Sequence, residues 1–102
     1  MRQLMVRYKV KPEQVEENER LVRAVYEELK SVDPDGFQYA TFRQDDGVTF
    51  VHFALSEDQQ NPLAELEAFQ RFQENIRERC DEPPVATELS QVGSFRLVGS
   101  AS

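Results

Sequence analysis

The sequence predicts an α+β domain of the ferredoxin-like type, in which four antiparallel strands and two helices follow one another as β-α-β-β-α-β. Three observations predict this order. An alternating strand pattern leads into a long helical pattern, a hairpin signal follows, and a second helical pattern leads into a β-rich C-terminal region. The 102 residues are enough for one domain with one core. We therefore expect residues 1–98 to form a single ferredoxin-like domain and residues 99–102 to be a frayed tail.

The first strand and the first helix differ in their hydrophobic periodicity. Residues 3–10 alternate from one face to the other, which predicts a strand. One face of this strand carries Leu4, Val6, Tyr8 and Val10. Pro12 suits the first position of a helix, and from there to about Ser31 the spacing is helical. The apolar stripe of this helix consists of Val15, Leu21, Val22, Val25, Tyr26 and Leu29.

A hairpin in the middle of the chain is the clearest local signal. Residues 37–43 and 48–55 are rich in aromatic and β-branched side chains, and a tight Asp46-Gly47 turn separates them. The second of these strands is apolar on both faces, which indicates that both faces are covered.

The C-terminal part predicts a second helix and a broken strand. Asn61 is a favourable N-cap followed by a proline, and the helical pattern continues to about Cys80. Its inner stripe consists of Leu63, Leu66, Phe69, Phe72, Ile76 and Cys80. The Asp-Glu-Pro-Pro segment 81–84 should end this helix. The β-type region 85–98 is interrupted at Gly93, where we expect a bulge or a bend.

One face of the predicted sheet lacks a cover. Right-handed crossovers place both helices on the same face. The opposite face carries Met5, Val51, Phe53 and Leu55. An apolar face of this size on a lone chain calls for a partner, and a second copy packed sheet to sheet is the simplest one. We therefore expect a homodimer.

Composition narrows the class of protein. The formal net charge of -7 disfavours nucleic-acid and anionic membrane surfaces as partners. The single cysteine, Cys80, allows no internal disulfide. No stretch approaches the roughly 20 apolar residues that span a bilayer, and the charged N-terminus lacks a signal-peptide core. These features predict a cytoplasmic protein.

The pattern resembles the dimeric α+β barrel superfamily, and within it the antibiotic-biosynthesis-monooxygenase-like domains. Four segments carry the resemblance: LMVRYKVKP (4–12), DGFQYATFR (35–43), FVHFALSED (50–58) and VGSFRLV (92–98). They span nearly the whole chain. The resemblance implies a homodimer in which the C-terminal strand reaches across to the partner.

The same family includes cofactor-independent oxygenases of phenolic or quinol-like substrates, haem-degrading oxygenases, and proteins without known activity. This chain has Ser56 where many members have a tryptophan. It has Val6 where haem-degrading members use an asparagine, and Leu66 and Phe69 near the place of their histidine. These departures argue against haem degradation, and we expect no cofactor.

The candidate site centres on His52, the only histidine. By alternation it shares a face with Phe50 and looks toward the helices, where it could abstract a proton from an acidic phenol. The alternative is a core histidine hydrogen-bonded to a neighbouring side chain. Tyr8 and Tyr39 could orient a ligand or bond to His52. Phe50 and Phe69 are candidates for substrate binding, and no residue spacing predicts a metal site.

Two functions therefore remain open. The first is a dimeric domain that binds a small apolar or aromatic molecule. The second is a cofactor-independent monooxygenase acting on a phenolic or quinol-type substrate, with His52 as the catalytic base. A cavity beneath the helices lined by His52 would favour the enzyme, whereas a filled core there would favour a domain without catalysis.

Overall fold

A computed structural model describes residues 2–57 and 61–96. The elements are β1 (Arg2–Val10), a 3₁₀ turn (Pro12–Gln14), α1 (Val15–Val32), β2 (Phe37–Arg43), β3 (Thr49–Ser56), a second 3₁₀ turn (Pro62–Glu65), α2 (Glu67–Gln73), α3 (Ile76–Arg79) and β4 (Cys80–Glu88). The strands form one antiparallel sheet in the order β2-β3-β1-β4. The predicted ferredoxin-like architecture is confirmed. Within the described residues, no helix is long and apolar enough to cross a membrane.

The core lies between the sheet and the helices. Tyr8 and Val10 of β1 are buried on the helix-covered face, as the alternation predicts. α1 contributes Val22 and Val25 to the same cluster, so its predicted apolar stripe is also confirmed. The cluster is completed by Phe50, Leu63, Leu66, Ala68, Phe72 and Cys80.

A left-handed residue ends α1 and turns the chain toward β2. Asp33 has φ 47°, and its backbone N–H donates to the Leu29 carbonyl at 2.7 Å. Aspartate tolerates this conformation better than most residues. Gly36 follows with φ 67°, and a Cβ there would lie 2.7 Å from the Glu57 carboxylate. This turn therefore needs glycine at position 36 for both conformation and space.

The second helix differs from its prediction. Instead of one helix to about Cys80, the chain forms a 3₁₀ turn and two short helices. Leu66 and Glu74 have extended backbones, and Asn75 is left-handed with φ 60°. Asparagine adopts this conformation at little cost. The apolar spacing is nevertheless kept across the breaks, because each short piece turns its apolar side to the sheet.

The segment after the second helix was also predicted wrongly. Cys80 is the first residue of β4 and pairs with Val10, so it belongs to no helix. The Asp-Glu-Pro-Pro segment 81–84 lies within β4, where it was expected to be a break between helix and strand. β4 is an edge strand, so the missing donor of one of the two adjacent prolines can face away from the sheet. Irregular pairing with β1 around Lys9 accommodates them.

The β-rich C-terminal region is shorter than predicted. β4 ends at Glu88, and the Leu89 amide makes a further backbone hydrogen bond to Gln3 at 2.8 Å. Residues 89–96 form no strand, so Gly93 does not mark a bulge within one. Val92 is fully exposed and Phe95 nearly so. The rest of the predicted strand region and the predicted tail, 97–102, lie outside the described residues.

The central hairpin is held by Asp46. Its Oδ1 accepts hydrogen bonds from the amides of Val48 and Thr49, at 3.0 and 2.9 Å. Its Oδ2 accepts from the Thr49 hydroxyl at 2.6 Å. These bonds lower the Asp46 pKa to about 2, the Thr49 hydroxyl contributing most. Gly47 supplies the positive φ of 80° that the turn requires.

The sheet face away from the helices is apolar and partly exposed. Phe42 is 52% exposed and packs edge-on against Phe53, with ring centroids 6.0 Å apart. A shallow depression of about 610 Å³ lies on this face and is lined mainly by apolar side chains, Leu55 and Leu89 among them. The predicted apolar face is thus present in the fold.

Candidate functional site

A cavity of about 210 Å³ lies between the sheet and the second helical segment. Its walls are mostly apolar. Its lining residues are Leu4, Val6, Tyr8, Tyr39, His52, Asn61, Leu63, Phe69, Phe72, Gln73, Ile76 and Pro84. The exposed Asn61 and Gln73 mark its mouth, while His52 and Tyr8 are buried at its inner end. A concave apolar cavity with a few convergent polar groups is typical of a small-molecule site.

His52 occupies the floor of this cavity and is bonded on both sides of its ring. Its Nε2 lies 2.8 Å from the Tyr8 hydroxyl. Its Nδ1 lies 2.6 Å from the Tyr39 hydroxyl and 3.0 Å from the Thr41 hydroxyl. The sheet register explains this arrangement, because His52 of β3 stands opposite Val6 of β1 and Thr41 of β2. Three strands therefore contribute polar groups to one point.

A second layer of buried groups supports Tyr8 from the helices. Asn18 of α1 is fully buried, and its amide nitrogen donates to the Tyr8 hydroxyl at 2.9 Å. Arg79 of α3 is only 6% exposed, and its Nε lies 3.3 Å from Asn18 Oδ1. Its terminal nitrogens donate to the carbonyls of Phe72 and Glu74, at 2.6 and 2.9 Å. Arg79 thus ties the broken second helix to the polar network.

The network extends on the other side of His52 to Tyr26. The Tyr26 and Thr41 hydroxyls lie 2.7 Å apart. The Tyr26 ring stacks on Tyr39, with centroids 5.3 Å apart. Among the described residues, no buried side-chain nitrogen or oxygen lacks a hydrogen-bond partner. The polar groups of this interior are therefore satisfied, which removes the cost that burying them would otherwise carry.

Burial keeps the site uncharged. The pKa of His52 is lowered to about 4 because its charged form would be desolvated. Burial raises the pKa of Tyr8 and of Tyr39 well above the ordinary value for a phenol. At neutral pH the imidazole is therefore neutral and both tyrosines are protonated.

The structure brings together four of the five candidate residues from the sequence. His52, Tyr8, Tyr39 and Phe69 line the cavity. Phe50 lies behind Tyr8, stacked with centroids 5.6 Å apart, and is not among the lining residues. Their roles in binding or catalysis remain predictions.

Sequence reasoning missed Asn18 and Arg79. Asn18 could have been found, since it lies between Val15 and Val22 at helical spacing and is therefore a polar residue within an apolar stripe. Arg79 gave no such signal, because its burial depends on where the second helix breaks.

The described residues hold no cluster of three or more histidine, cysteine, aspartate or glutamate side chains able to bind a metal ion. The only buried histidine network is the one formed with hydroxyl groups, which are poor ligands for soft and borderline metals. Nothing in its chemistry points to a resident ion.

Comparison with known proteins gives matches only at the level of structure. No protein-family model matches the sequence, and no curated protein is significantly similar to it. A proposed antibiotic biosynthesis monooxygenase from Nitrosomonas europaea has a TM-score of 0.76 at 18% identity, covering 91% of this chain and 100% of that chain. A protein of unknown function from the same organism has a TM-score of 0.71 at 16% identity, covering 92% of this chain and 91% of that one.

A third similar structure is a variant of SnoaB, a cofactor-independent oxygenase from Streptomyces nogalater. Its TM-score is 0.68 at 15% identity, with coverage of 92% of this chain and 95% of that chain. Identities this low show a shared fold and do not transfer an activity. The chain therefore has the α+β fold of the antibiotic-biosynthesis-monooxygenase-like proteins, as the sequence resemblance predicts.

Proposed function

We propose that the protein binds a small, neutral, largely aromatic molecule in the cavity between the sheet and the helices. The observation that carries this proposal is the cavity of about 210 Å³ with apolar walls and a single group of polar side chains at its inner end. Such a site gains affinity from apolar contact and orientation from a few hydrogen bonds. Phe69 and Phe72 supply aromatic wall, and Tyr8, Tyr39 and His52 supply the polar end.

The size of the cavity limits the ligand. A dry cavity of about 150 Å³ takes up benzene, and typical sites for drug-sized molecules measure about 300–1,000 Å³. At about 210 Å³ the cavity suits a molecule of one or two rings. A polycyclic substrate would need the mouth near Asn61 and Gln73 to open further.

The charge of the ligand is limited by the same burial. His52 is neutral, and Arg79, the one buried arginine or lysine in the described part of the chain, is already bonded to Asn18 and two backbone carbonyls. A charged ligand group would enter this interior without an opposite charge, at a cost of several kcal/mol. A neutral ligand is therefore favoured.

The proposal is tested by titrating three two-ring probes, indane, 1-indanone and indole, into the protein while following its amide resonances. We expect binding of at least one probe with a dissociation constant of about 0.1–1 mM, given the small size of these molecules. The shifts should cluster at Leu63, Phe69 and Phe72. Failure of all three probes to bind would contradict the proposal.

A matched pair of variants locates the binding. Val6→Phe fills the cavity from the sheet side and should abolish binding. Val32→Phe makes the same change at a position that is 54% exposed, at the end of α1, and should leave binding unchanged. Equal binding by both variants would place the probes elsewhere.

A cofactor-independent monooxygenase is the second candidate, and one observation favours it: His52 lines the cavity. In such a reaction a phenol such as 1-naphthol would be oxidised by O₂ to the quinone, with one oxygen atom entering the ring and the other leaving as water. The base must have a free lone pair, yet both His52 nitrogens are bonded and its pKa is lowered to about 4. The substrate hydroxyl would therefore have to replace Tyr8 at Nε2. Oxygen consumption with 1-naphthol that is lost in His52→Gln would establish this second function.

We also propose that the protein is a cytoplasmic homodimer, paired through the open sheet face. Two surfaces support this assembly. The face carries the half-exposed Phe42, and the segment after β4 leaves Val92 and Phe95 largely exposed. A second copy related by a two-fold axis would cover both surfaces at once.

A further inference from the structure

Three consecutive hydrogen bonds lead from Arg79 to His52, and their direction is set at Arg79. A guanidinium group donates hydrogen bonds and accepts none. The Arg79 Nε lies 3.3 Å from Asn18 Oδ1, so the oxygen of this amide accepts from Arg79. The amide nitrogen therefore faces Tyr8, and it donates to the Tyr8 hydroxyl oxygen at 2.9 Å. Arg79 thus decides which way the Asn18 amide is turned.

The Tyr8 hydroxyl is left with one acceptor for its own proton. The exposed fraction of Tyr8 is 1%, so its hydroxyl has little access to solvent. Asn18 presents a donor to it, and the acceptor that the described residues offer is His52 Nε2, at 2.8 Å. Tyr8 therefore donates to Nε2, which must carry a lone pair. Since a neutral imidazole has one proton, that proton lies on Nδ1.

The opposite tautomer, with the proton on Nε2, would make Tyr8 accept from both Asn18 and His52. The Tyr8 proton would then have no acceptor among the described residues, and an unpaired buried donor disfavours this state by about 5- to 150-fold. The hydroxyls of Tyr39 and Thr41, at 2.6 and 3.0 Å from Nδ1, can donate or accept, so they fit either tautomer. The choice is therefore made on the Nε2 side of the ring.

We infer that Arg79 and Asn18 are positioning residues that hold the neutral His52 in the tautomer protonated on Nδ1, with the Nε2 lone pair covered by the Tyr8 hydroxyl. This inference goes beyond the binding function proposed above and does not depend on it. Its consequence for the cavity is that His52 accepts a hydrogen bond from a ligand only at Nε2, and only where the ligand replaces Tyr8. In the second candidate function, Nε2 is then the nitrogen that takes the substrate proton.

The first test measures the tautomer in the unaltered protein, without a histidine tag and without any ligand. His52 is the only histidine, so long-range ¹H–¹⁵N spectra at pH 7 report a single imidazole. Both carbon-bound ring protons couple to Nε2, whereas only Hε1 couples strongly to Nδ1. We expect the unprotonated, downfield nitrogen to be the one coupled to both. Coupling of that nitrogen to Hε1 alone, or equal populations of the two tautomers, would overturn the inference.

Asn18→Asp should reverse the direction of the hydrogen bonds. A carboxylate beside Arg79 is ionised and can only accept. Tyr8 would donate to this carboxylate, and its oxygen would accept from Nε2–H. The lone pair would then lie on Nδ1, where the hydroxyls of Tyr39 and Thr41 can donate to it. We expect the spectrum of a ring protonated on Nε2. A folded variant whose ring stays protonated on Nδ1 would contradict the role of Asn18.

Asn75→Asp is the matched control for this substitution. It makes the same change from amide to carboxylate at an exposed position next to α3. The ring should stay protonated on Nδ1, because Asn75 makes no side-chain contact with the network in the described part of the chain. Reversal in both variants would mean that added negative charge, and not the Asn18 position, sets the tautomer.

A second pair of variants tests Arg79 and also serves if Asn18→Asp does not fold. Arg79→Lys keeps a group that only donates, so one tautomer, protonated on Nδ1, should remain. Arg79→Met removes the donor, so the Asn18 amide can turn its oxygen toward Tyr8 and both tautomers should be populated. A single ring form protonated on Nδ1 in Arg79→Met would show that Arg79 has no part in the choice. The spectrum of the unaltered protein decides the direction whichever variants fold.

Discussion

The two faces of the sheet differ in the kind of interaction that their side chains make. On the helix-covered face, polar groups from β1, β2 and β3 meet at His52 and are each bonded to a defined partner. On the open face, apolar side chains such as Phe42 and Phe53 contact one another through their rings. Hydrogen bonds demand a specific distance and direction, whereas apolar contact does not. The covered face therefore holds one defined arrangement, and the apolar open face is where we propose that a second copy packs.

Arg79→Ala is expected to have the largest effect, because it removes the anchor of the covered face. Asn18 and the carbonyls of Phe72 and Glu74 would lose their donor. We expect the free energy of unfolding to fall by about 3 kcal/mol, as measured by urea denaturation. Arg71→Ala, at an exposed position of α2, should cost less than about 0.5 kcal/mol. Similar losses in both variants would mean that the buried network contributes little.

Lowering the pH should decrease the free energy of unfolding, because His52 on the covered face binds a proton less readily when folded. Its pKa of about 4 in the folded protein lies below the value of about 6.5 expected when unfolded, so the unfolded chain binds more protons between these values. The stabilisation is complete above pH 6.5 and is lost as the pH falls toward 4. We expect a loss of about 2 kcal/mol between pH 7 and pH 5, and His52→Gln should remove this part of the slope. An imidazole that titrates near pH 6.5 in the folded protein would contradict the prediction.

Phe42→Lys tests the open face, where assembly should change more than folding. A charge within the proposed interface should raise the dimer dissociation constant by about 100-fold. The free energy of unfolding of the monomer should change by less than about 1 kcal/mol, because Phe42 is already 52% exposed. Native mass spectrometry and sedimentation measure the assembly.

Val32→Lys is the control for this change, since Val32 is 54% exposed at the end of α1, away from the open face. It should leave the dimer intact. A monomeric unaltered protein would refute the proposed pairing before any variant is made.

Asp46→Ala is expected to have the smallest effect. It tests the β2–β3 hairpin, whose register sets the face of the sheet on which each side chain of β3 lies. A one-residue slip of β3 would move His52 to the open face. Asp46 accepts three hydrogen bonds in the turn, whereas its neighbour Asp45 has no corresponding bond among the described contacts. We expect a modest decrease in the melting temperature for Asp46→Ala and none for Asp45→Ala. Equal melting temperatures would show that the turn is held by Gly47 and the strands alone.

Local patterns were sufficient for most of the fold. The alternation in β1 and β3 placed Tyr8 and His52 on the same face, and the helical spacing found the stripe of α1. These predictions succeeded because side-chain direction follows from backbone periodicity within a single element. The second helix and the C-terminal strand were predicted less well. Asn75 breaks the helix with a left-handed backbone, and β4 passes through two prolines that only an edge strand tolerates.

The candidate site, like the fold, was predicted in part from local sequence patterns. The sequence alone determined the order of the elements and the face on which His52 and Tyr8 lie, because both depend on neighbours along the chain. Only the tertiary structure decided that Asn18 and Arg79 complete the network and that a cavity remains beside His52. A hydrogen bond between residues 61 positions apart, and an unfilled space between a sheet and two helices, depend on how separate elements pack. Packing depends on many contacts between residues that are distant in the sequence, so a local sequence pattern does not predict it.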